Sequence, residues 1–148
     1  MAVDSEAVDP IDRRIVDILA REGRISWREL GDQVHLSATS AADRVRRLEQ
    51  RGVVAGYRAV LDPAALGRTV RAVIDVALPP GGDPAAFEAR LADRTEVTFA
   101  AYVTGPADYT VLADCAGPEG LDVLVRWLKA EGGAARTESK VVLRRVIG

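Results

Sequence analysis

The chain has 148 residues, 48% of them apolar and 28% charged, with a net charge of −2, a balance that excludes a disordered chain and leaves room for one ordinary domain or two small ones. No run approaches the roughly 20 uninterrupted apolar residues needed to cross a bilayer, and the acidic start MAVDSEAVDP lacks the basic and apolar regions of an export signal, so a cytoplasmic protein is expected. One cysteine, Cys115, allows no internal disulfide and one histidine, His35, supplies no pair of the usual zinc ligands, so no metal or other cofactor is expected.

Asp9 before Pro10 supplies a helix N-cap and a proline at the first helical position, where its missing N–H is no loss. Ile11, Ile15, Ile18 and Leu19 recur at i, i+4, i+7 and i+8, so a first helix buries that stripe, turns Arg13, Arg14, Asp17 and Arg21 to water and ends at Gly23. Ser26 and Glu29 have the S-x-x-E spacing of a capping box, which starts a second helix from Trp27 to about Val34 with Leu30 and Val34 inward. Ser37 caps a third, in which Ala41, Val45 and Leu48 share an inward stripe while Thr39, Ser40, Asp43, Arg44 and Arg47 point elsewhere.

Between Leu36 and Arg58, Arg44, Arg46, Arg47, Arg51 and Arg58 stand against Asp43 and Glu49, a local excess of +3 in an acidic chain. Such a patch can hold a polyanion while the remaining surface stays soluble. The link from His35 to Ser37 has the few-residue length of a helix-turn-helix, whose second helix lies in the major groove of DNA. Ser37, Thr39, Ser40 and Asp43 then stand near base edges, and Arg44, Arg47 and Arg51 near phosphates. Asp43 is tolerable there if it pairs with Arg46 or Arg47, or accepts from a cytosine amino group. Three short amphipathic helices are also the pattern of a plain core. What a plain core leaves unexplained is the run after Gly52, where Val53, Val54, Tyr57, Ala59 and Leu61 predict an extended wing or linker strand.

Asp62-Pro63 and Gly67 mark a break. Val70, Ala72, Ile74, Val76 and Leu78 alternate, predicting a half-buried strand that stops at Pro79-Pro80-Gly81-Gly82. Asp83-Pro84 repeats the cap-and-proline device and opens a helix with Phe87 and Leu91 inward. Val97, Phe99, Ala101 and Val103 alternate in a second strand, and the GPAD turn from Gly105 to Asp108 leads into a third with Tyr109, Val111, Ala113 and Cys115 on one face, so the two pair as a hairpin. Gly117-Pro118 opens a last helix with Leu121, Leu124, Val125 and Leu128 inward, Gly132-Gly133 ends it, and a final strand runs from about Arg136 to Ile147.

The order β-α-β-β-α-β is the ferredoxin-like split βαβ arrangement, with both helices on one sheet face. The other face carries Val73, Ala77, Ala100, Tyr102 and Leu112, too apolar for water, so a dimer is expected there. The fold class is thus α+β: a winged helix-turn-helix with its linker strand over residues 1–62, then a ferredoxin-like effector-binding and dimerisation domain over residues 63–148.

The segment VDPIDRRIVDILAREGRISWRELGDQVHLSATSAADRVRRLEQRGVVAGYRAVLDPAALG resembles the Lrp/AsnC family of prokaryotic transcription regulators. The likeness rests on the D-x-x-D-R-x-I start, the turn EGRIS, the ending RVRRLEQRGVV and the linker YRAVLD, and it continues in YVTGPADY and RTES of the C-terminal half. It implies double-stranded DNA as a partner, a homodimer that assembles further toward an octamer, and a small effector, commonly an amino acid, bound between sensing domains. On the matching positions Gly105 and Asp108 are the first candidates for the effector, with Tyr102, Thr104 and Tyr109 lining a pocket and Thr137 or Ser139 contributing from a neighbouring strand. A glycine turn exposes backbone N–H groups to a carboxylate, and an aspartate pairs with an ammonium; the same residues would equally make a plain hairpin turn.

The sequence departs from the family pattern in the recognition helix, SATSAADRV, in Gly31, which replaces the usual small helix former at up to about 1 kcal/mol relative to alanine, and in the small, flexible EGGAAR loop. The expected function is a sequence-specific DNA-binding regulator whose assembly or operator binding responds to an effector, and not an enzyme. Two rivals are a ligand-independent architectural DNA-binding protein and an enzyme like the siroheme decarboxylases, which resemble the same two-domain layout and are expected to offer histidines to a tetrapyrrole. The C-terminal half contains no histidine.

Overall fold

The computed structural model describes residues 8–146, and the chain divides between Val60 and Leu61 into two compact units. The first unit is helical: α1 (Pro10–Arg21), α2 (Trp27–Val34) and α3 (Ala38–Gln50). Each start is fixed by a local cap. The Asp9 carboxylate accepts from Asp12 N at 2.7 Å, Ser26 and Glu29 cap each other reciprocally, and Ser37 Oγ accepts from Ser40 N at 3.1 Å, satisfying N–H groups that the helix itself leaves open.

Ile15, Ile25, Leu30, Val34, Ala41, Val45 and Leu48 form the core of this unit, with Ile18 and Leu19 packed against it. Ile11, expected on the inward stripe, is exposed at the N-terminal end of α1. The turn between α2 and α3 puts His35 in the left-handed region, φ 57°. Gly31 lies against that turn, and a Cβ there would meet the Leu36 carbonyl oxygen at 2.6 Å.

The extended strand expected after Gly52 does not form within this chain. From Val53 to Leu61 no residue joins a sheet; Val53 N and Val54 N donate to Leu48 O, closing the end of α3, and the Tyr57 hydroxyl donates to Glu49 at 2.8 Å. A strand needs a neighbour for its backbone groups, and the described part of this unit contains helices alone.

The second unit is a four-stranded antiparallel sheet in the order β2-β3-β1-β4, with β1 (Val70–Ala77), β2 (Val97–Tyr102), β3 (Tyr109–Cys115) and β4 (Arg136–Val141). Helices α4 (Pro84–Ala92) and α5 (Gly117–Trp127) supply the crossovers, and α5 runs into a π-helical turn, Leu128–Gly132. This is the ferredoxin-like order. Ala72, Ile74, Val76, Tyr109, Val111, Ala113 and Cys115 of the sheet close on Phe87, Leu91, Leu124 and Leu128 of the helices. The final strand ends at Val141, short of the Ile147 expected; Ile147 itself lies outside the described residues.

The second strand corrects the expected face assignment. Val97 pairs with Ala113, but Phe99 pairs with Leu112, so a bulge sits between them. One extra residue reverses every side chain beyond it. Phe99 and Ala101 therefore lie on the helix-free face with Leu112 and Val73, whereas Ala100 and Tyr102 turn to the helix side. The helix-free face is apolar along the line Phe99, Leu112, Val73 and charged around it, through Arg71 with Asp114, and Asp75 with Lys140. Among the described residues no helix is long and apolar enough to cross a membrane.

Candidate nucleic-acid interface and effector cleft

On α3 the inward stripe is Ala41, Ala42, Val45 and Leu48, all buried. At 3.6 residues per turn the opposite side carries Thr39, Asp43, Arg46 and Gln50, with Ser40 and Arg47 on its flank. All six are exposed. Arg46 and Gln50 belong to this surface although the base-edge and phosphate contacts expected from the sequence went only to Ser37, Thr39, Ser40, Asp43, Arg44, Arg47 and Arg51; the helical period would have added both to them.

The individual placements differ. The Ser37 hydroxyl is occupied at the cap and donates to Ser40 Oγ at 2.9 Å, so it positions the helix start. Asp43 is ion-paired with Arg46, one of the two partners expected, and both remain exposed. That pairing offsets its repulsion toward phosphate. Arg47 is exposed, with no ion pair among the described residues. Arg51 is the half-buried C-cap of α3.

Arg44 is not on the outward surface. It sits at the seam between the core stripe and the exposed side, and its Nη1 donates to Asp9 Oδ2 at 2.5 Å and Asp12 Oδ1 at 2.8 Å. The guanidinium is pushed above its ordinary range by the Asp12 and Asp9 carboxylates. The Asp9 carboxyl is held below its own range first by the Asp12 backbone N–H and then by Arg44.

In the second unit a cleft of about 310 Å³ opens between α4 and the β2 edge, lined by Glu88, Leu91, Ala92, Ala100, Ala101, Tyr102 and Tyr109. Tyr102, 68% exposed, meets the Tyr109 ring edge-on at 5.2 Å. Tyr109 is buried, stacks obliquely on Phe87 at 4.7 Å and donates its hydroxyl to Glu88 at 2.7 Å. Burial, then the Glu88 carboxylate, pushes that phenol up to about 12. It therefore stays a neutral donor to one Glu88 oxygen, and the Glu88 carboxyl group has further lone pairs to offer at the cleft wall. Glu88, Leu91 and Ala92 share one face of α4 at i, i+3 and i+4, a signal the sequence offered and the motif reading passed over.

The other expected effector residues are not in this lining. Thr104 and Gly105 are exposed in the β2–β3 turn, where φ of 121° at Gly105 favours glycine. The Asp108 carboxylate accepts from Leu78 N at 2.7 Å, its backbone N–H donates to Val76 O and its carbonyl accepts from Val103 N. Asp108 thus fastens the turn to the end of β1. Thr137 is opposite Val76, and Ser139 opposite Ile74, on the β4 edge, away from the cleft walls.

Known proteins carry the same two parts. The model of the AsnC-type helix-turn-helix domain matches residues 8–49, and that of the Lrp/AsnC ligand binding domain matches residues 71–148. The transcriptional regulator LrpA of Mycobacterium tuberculosis is 35% identical over 94% of this chain and 92% of its own. A feast or famine regulatory protein of the same organism, solved in complex with L-methionine, superposes with a TM-score of 0.88 at 34% identity over 96% of both chains. A Neisseria meningitidis transcriptional regulator, also solved with L-methionine, gives a TM-score of 0.90 at 27% identity over 96% of this chain and 94% of that one. With both domain models matched in order and these likenesses spanning nearly all of the chain, the protein belongs to the Lrp/AsnC family of transcription regulators.

Proposed function

We propose that this regulator binds operators through paired α3 helices carried by residues 1–62, and that residues 63–148 pair through the helix-free sheet face and take an amino-acid effector. Thr39, Ser40 and Asp43 face base edges, Arg47 a phosphate, and Arg46 and Gln50 extend the contact. The observation that carries this reading is the exposed polar and basic side of α3 opposite a fully buried stripe. Two-fold symmetry sets half-sites roughly 34 Å, one helical turn, apart. No catalytic role is assigned to any residue.

Arg47→Ala is expected to weaken binding to every duplex and to lower the slope of log affinity against log salt by about one unit. Fluorescence anisotropy over a salt titration measures both. An unchanged slope would remove Arg47 from the phosphate contact.

For the effector, the cleft wall offers the Glu88 carboxylate to an ammonium and the Tyr102 ring with Leu91 to an apolar side chain, while the N–H groups of the exposed Gly105 turn, outside that lining, are the candidates for a carboxylate. The two L-methionine complexes among the solved relatives support this class of ligand. A ligand at 100 times its dissociation constant stabilises by about 2.7 kcal/mol, so thermal-shift measurement across the twenty amino acids, L-methionine first, should reveal it. Tyr102→Ala should abolish the shift and leave the ligand-free melting temperature near wild type, because that side chain is largely in water. If none of the twenty shifts the wild type, the sensing reading falls and a ligand-independent DNA binder remains.

A further inference from the structure

We propose that Arg44 is a positioning residue for DNA recognition: clamped by Asp9 and Asp12, it sets the height and rotation of α3, so that operator discrimination depends on two carboxylates that stand on another helix. This inference rests on the reading of α3 as the DNA-facing helix. One guanidinium nitrogen is shared by Asp9 Oδ2 at 2.5 Å and Asp12 Oδ1 at 2.8 Å, and the Asp9 carboxylate simultaneously caps α1 through Asp12 N at 2.7 Å. Cap and clamp are one unit.

The packing of α3 explains why a directional contact matters. Two of its four inward residues are alanines, Ala41 and Ala42, and small side chains resist sliding along a helix axis weakly because they interdigitate little. Val45 and Leu48 decide which side faces the core, whereas a charge-assisted hydrogen bond held from two directions fixes position along the axis as well. Asp12 is buried, and leaving a buried carboxylate without its cation is costly, so the clamp holds. Arg44 is four residues after Ser40 and three before Arg47, and any shift of its anchor moves both flanks of the exposed surface together.

The test separates position from charge. Asp12→Asn leaves every exposed arginine in place and makes the protein more positive, so simple electrostatics expects equal or tighter binding to any duplex. Positioning expects the ratio of affinities for a duplex selected by this protein from a random pool, against the unselected pool, to fall about tenfold, the scale of one mismatched base pair. Arg44→Lys keeps the charge but reaches the carboxylates with a single ammonium, and is expected to lower the ratio by a smaller factor. Both are compared with wild type by anisotropy well below their melting temperatures, with helical content checked by circular dichroism. A salt slope unchanged in Arg44→Ala, beside a slope lowered in Arg47→Ala, assigns position to the first and phosphate contact to the second. A selected-to-random ratio within twofold of wild type in both Asp12→Asn and Arg44→Lys, or a slope lowered by about one unit in Arg44→Ala, overturns the clamp; a wild type that binds no duplex, selected or random, instead strikes the reading of α3 itself.

Discussion

Leu112→Asp is expected to turn the dimer proposed above into a folded monomer and to lower affinity for a duplex with two half-sites about a hundredfold or more. Leu112 stands between Phe99 and Val73 in one line across three strands of the helix-free face, and Phe99, 55% exposed, has no covering element among the described residues of its own unit. A second copy placed on this face buries the line, and a two-fold axis through such a patch brings like residues together. An aspartate there would be desolvated opposite its own copy, and the variant also loses the apolar gain of one leucine, about 2 kcal/mol. Because Leu112 contributes to the outer face and not to the core beneath α4 and α5, the monomer should keep its fold. The affinity loss follows from valency: two linked reading heads gain about 10² to 10⁴ over one. Light scattering after size exclusion reads the mass. Val123→Asp, on the exposed side of α5, should leave mass and binding unchanged, and a wild-type mass for Leu112→Asp would send the dimer contact elsewhere.

What was legible in the chain was what neighbouring residues decide among themselves. Asp9 with Pro10, Ser26 with Glu29, and Ser37 announce three helix starts because a cap and the N–H it satisfies lie within three residues of each other. Alternation in β1 and the 3.6-residue period in α5 place the core correctly for the same reason, since one face of each is buried by whatever packs upon it.

Three features escaped because no pattern among residue types carries them. Arg44 counts as one more outward arginine until Asp12 and Asp9, 32 and 35 residues away, are seen to hold it. The bulge in β2 interrupts nothing in the apolar alternation of Val97, Phe99 and Ala101, yet it exchanges Phe99 for Tyr102 between the two faces, and with that exchange Tyr102 moves from the helix-free face to the cleft beside α4. Gly31 scores as a helix-weakening choice on propensity alone, up to about 1 kcal/mol. In place, it admits the Leu36 carbonyl oxygen to 2.6 Å from where a Cβ would stand, so the turn requires what the propensity scale penalises.

Arg71→Ala is expected to destabilise the second unit by about 3 kcal/mol, and the reason lies in which partner is left behind. Asp114 is 4% exposed; its two oxygens accept from Arg71 Nε at 2.5 Å and Nη2 at 2.7 Å, a bidentate geometry that suits a guanidinium better than any ammonium. Removing the cation strands a buried carboxylate, at about 3 to 5 kcal/mol for a fully buried pair; Arg71 is itself partly solvated, which favours the lower end. Replacing both members by apolar residues of similar volume, Arg71→Met with Asp114→Leu, should recover most of the loss, because desolvation of the pair and its attraction nearly cancel. Urea denaturation followed by circular dichroism gives the three values. If the single variant costs under about 1 kcal/mol, the pair behaves as an exposed one; if the double variant is no better than the single, the pair supplies attraction beyond its desolvation cost. The two carboxylate contacts that look alike on paper then part company, since the Asp114 pair would be replaceable by grease while the Asp9 and Asp12 clamp, which must hold α3 at one height, would not.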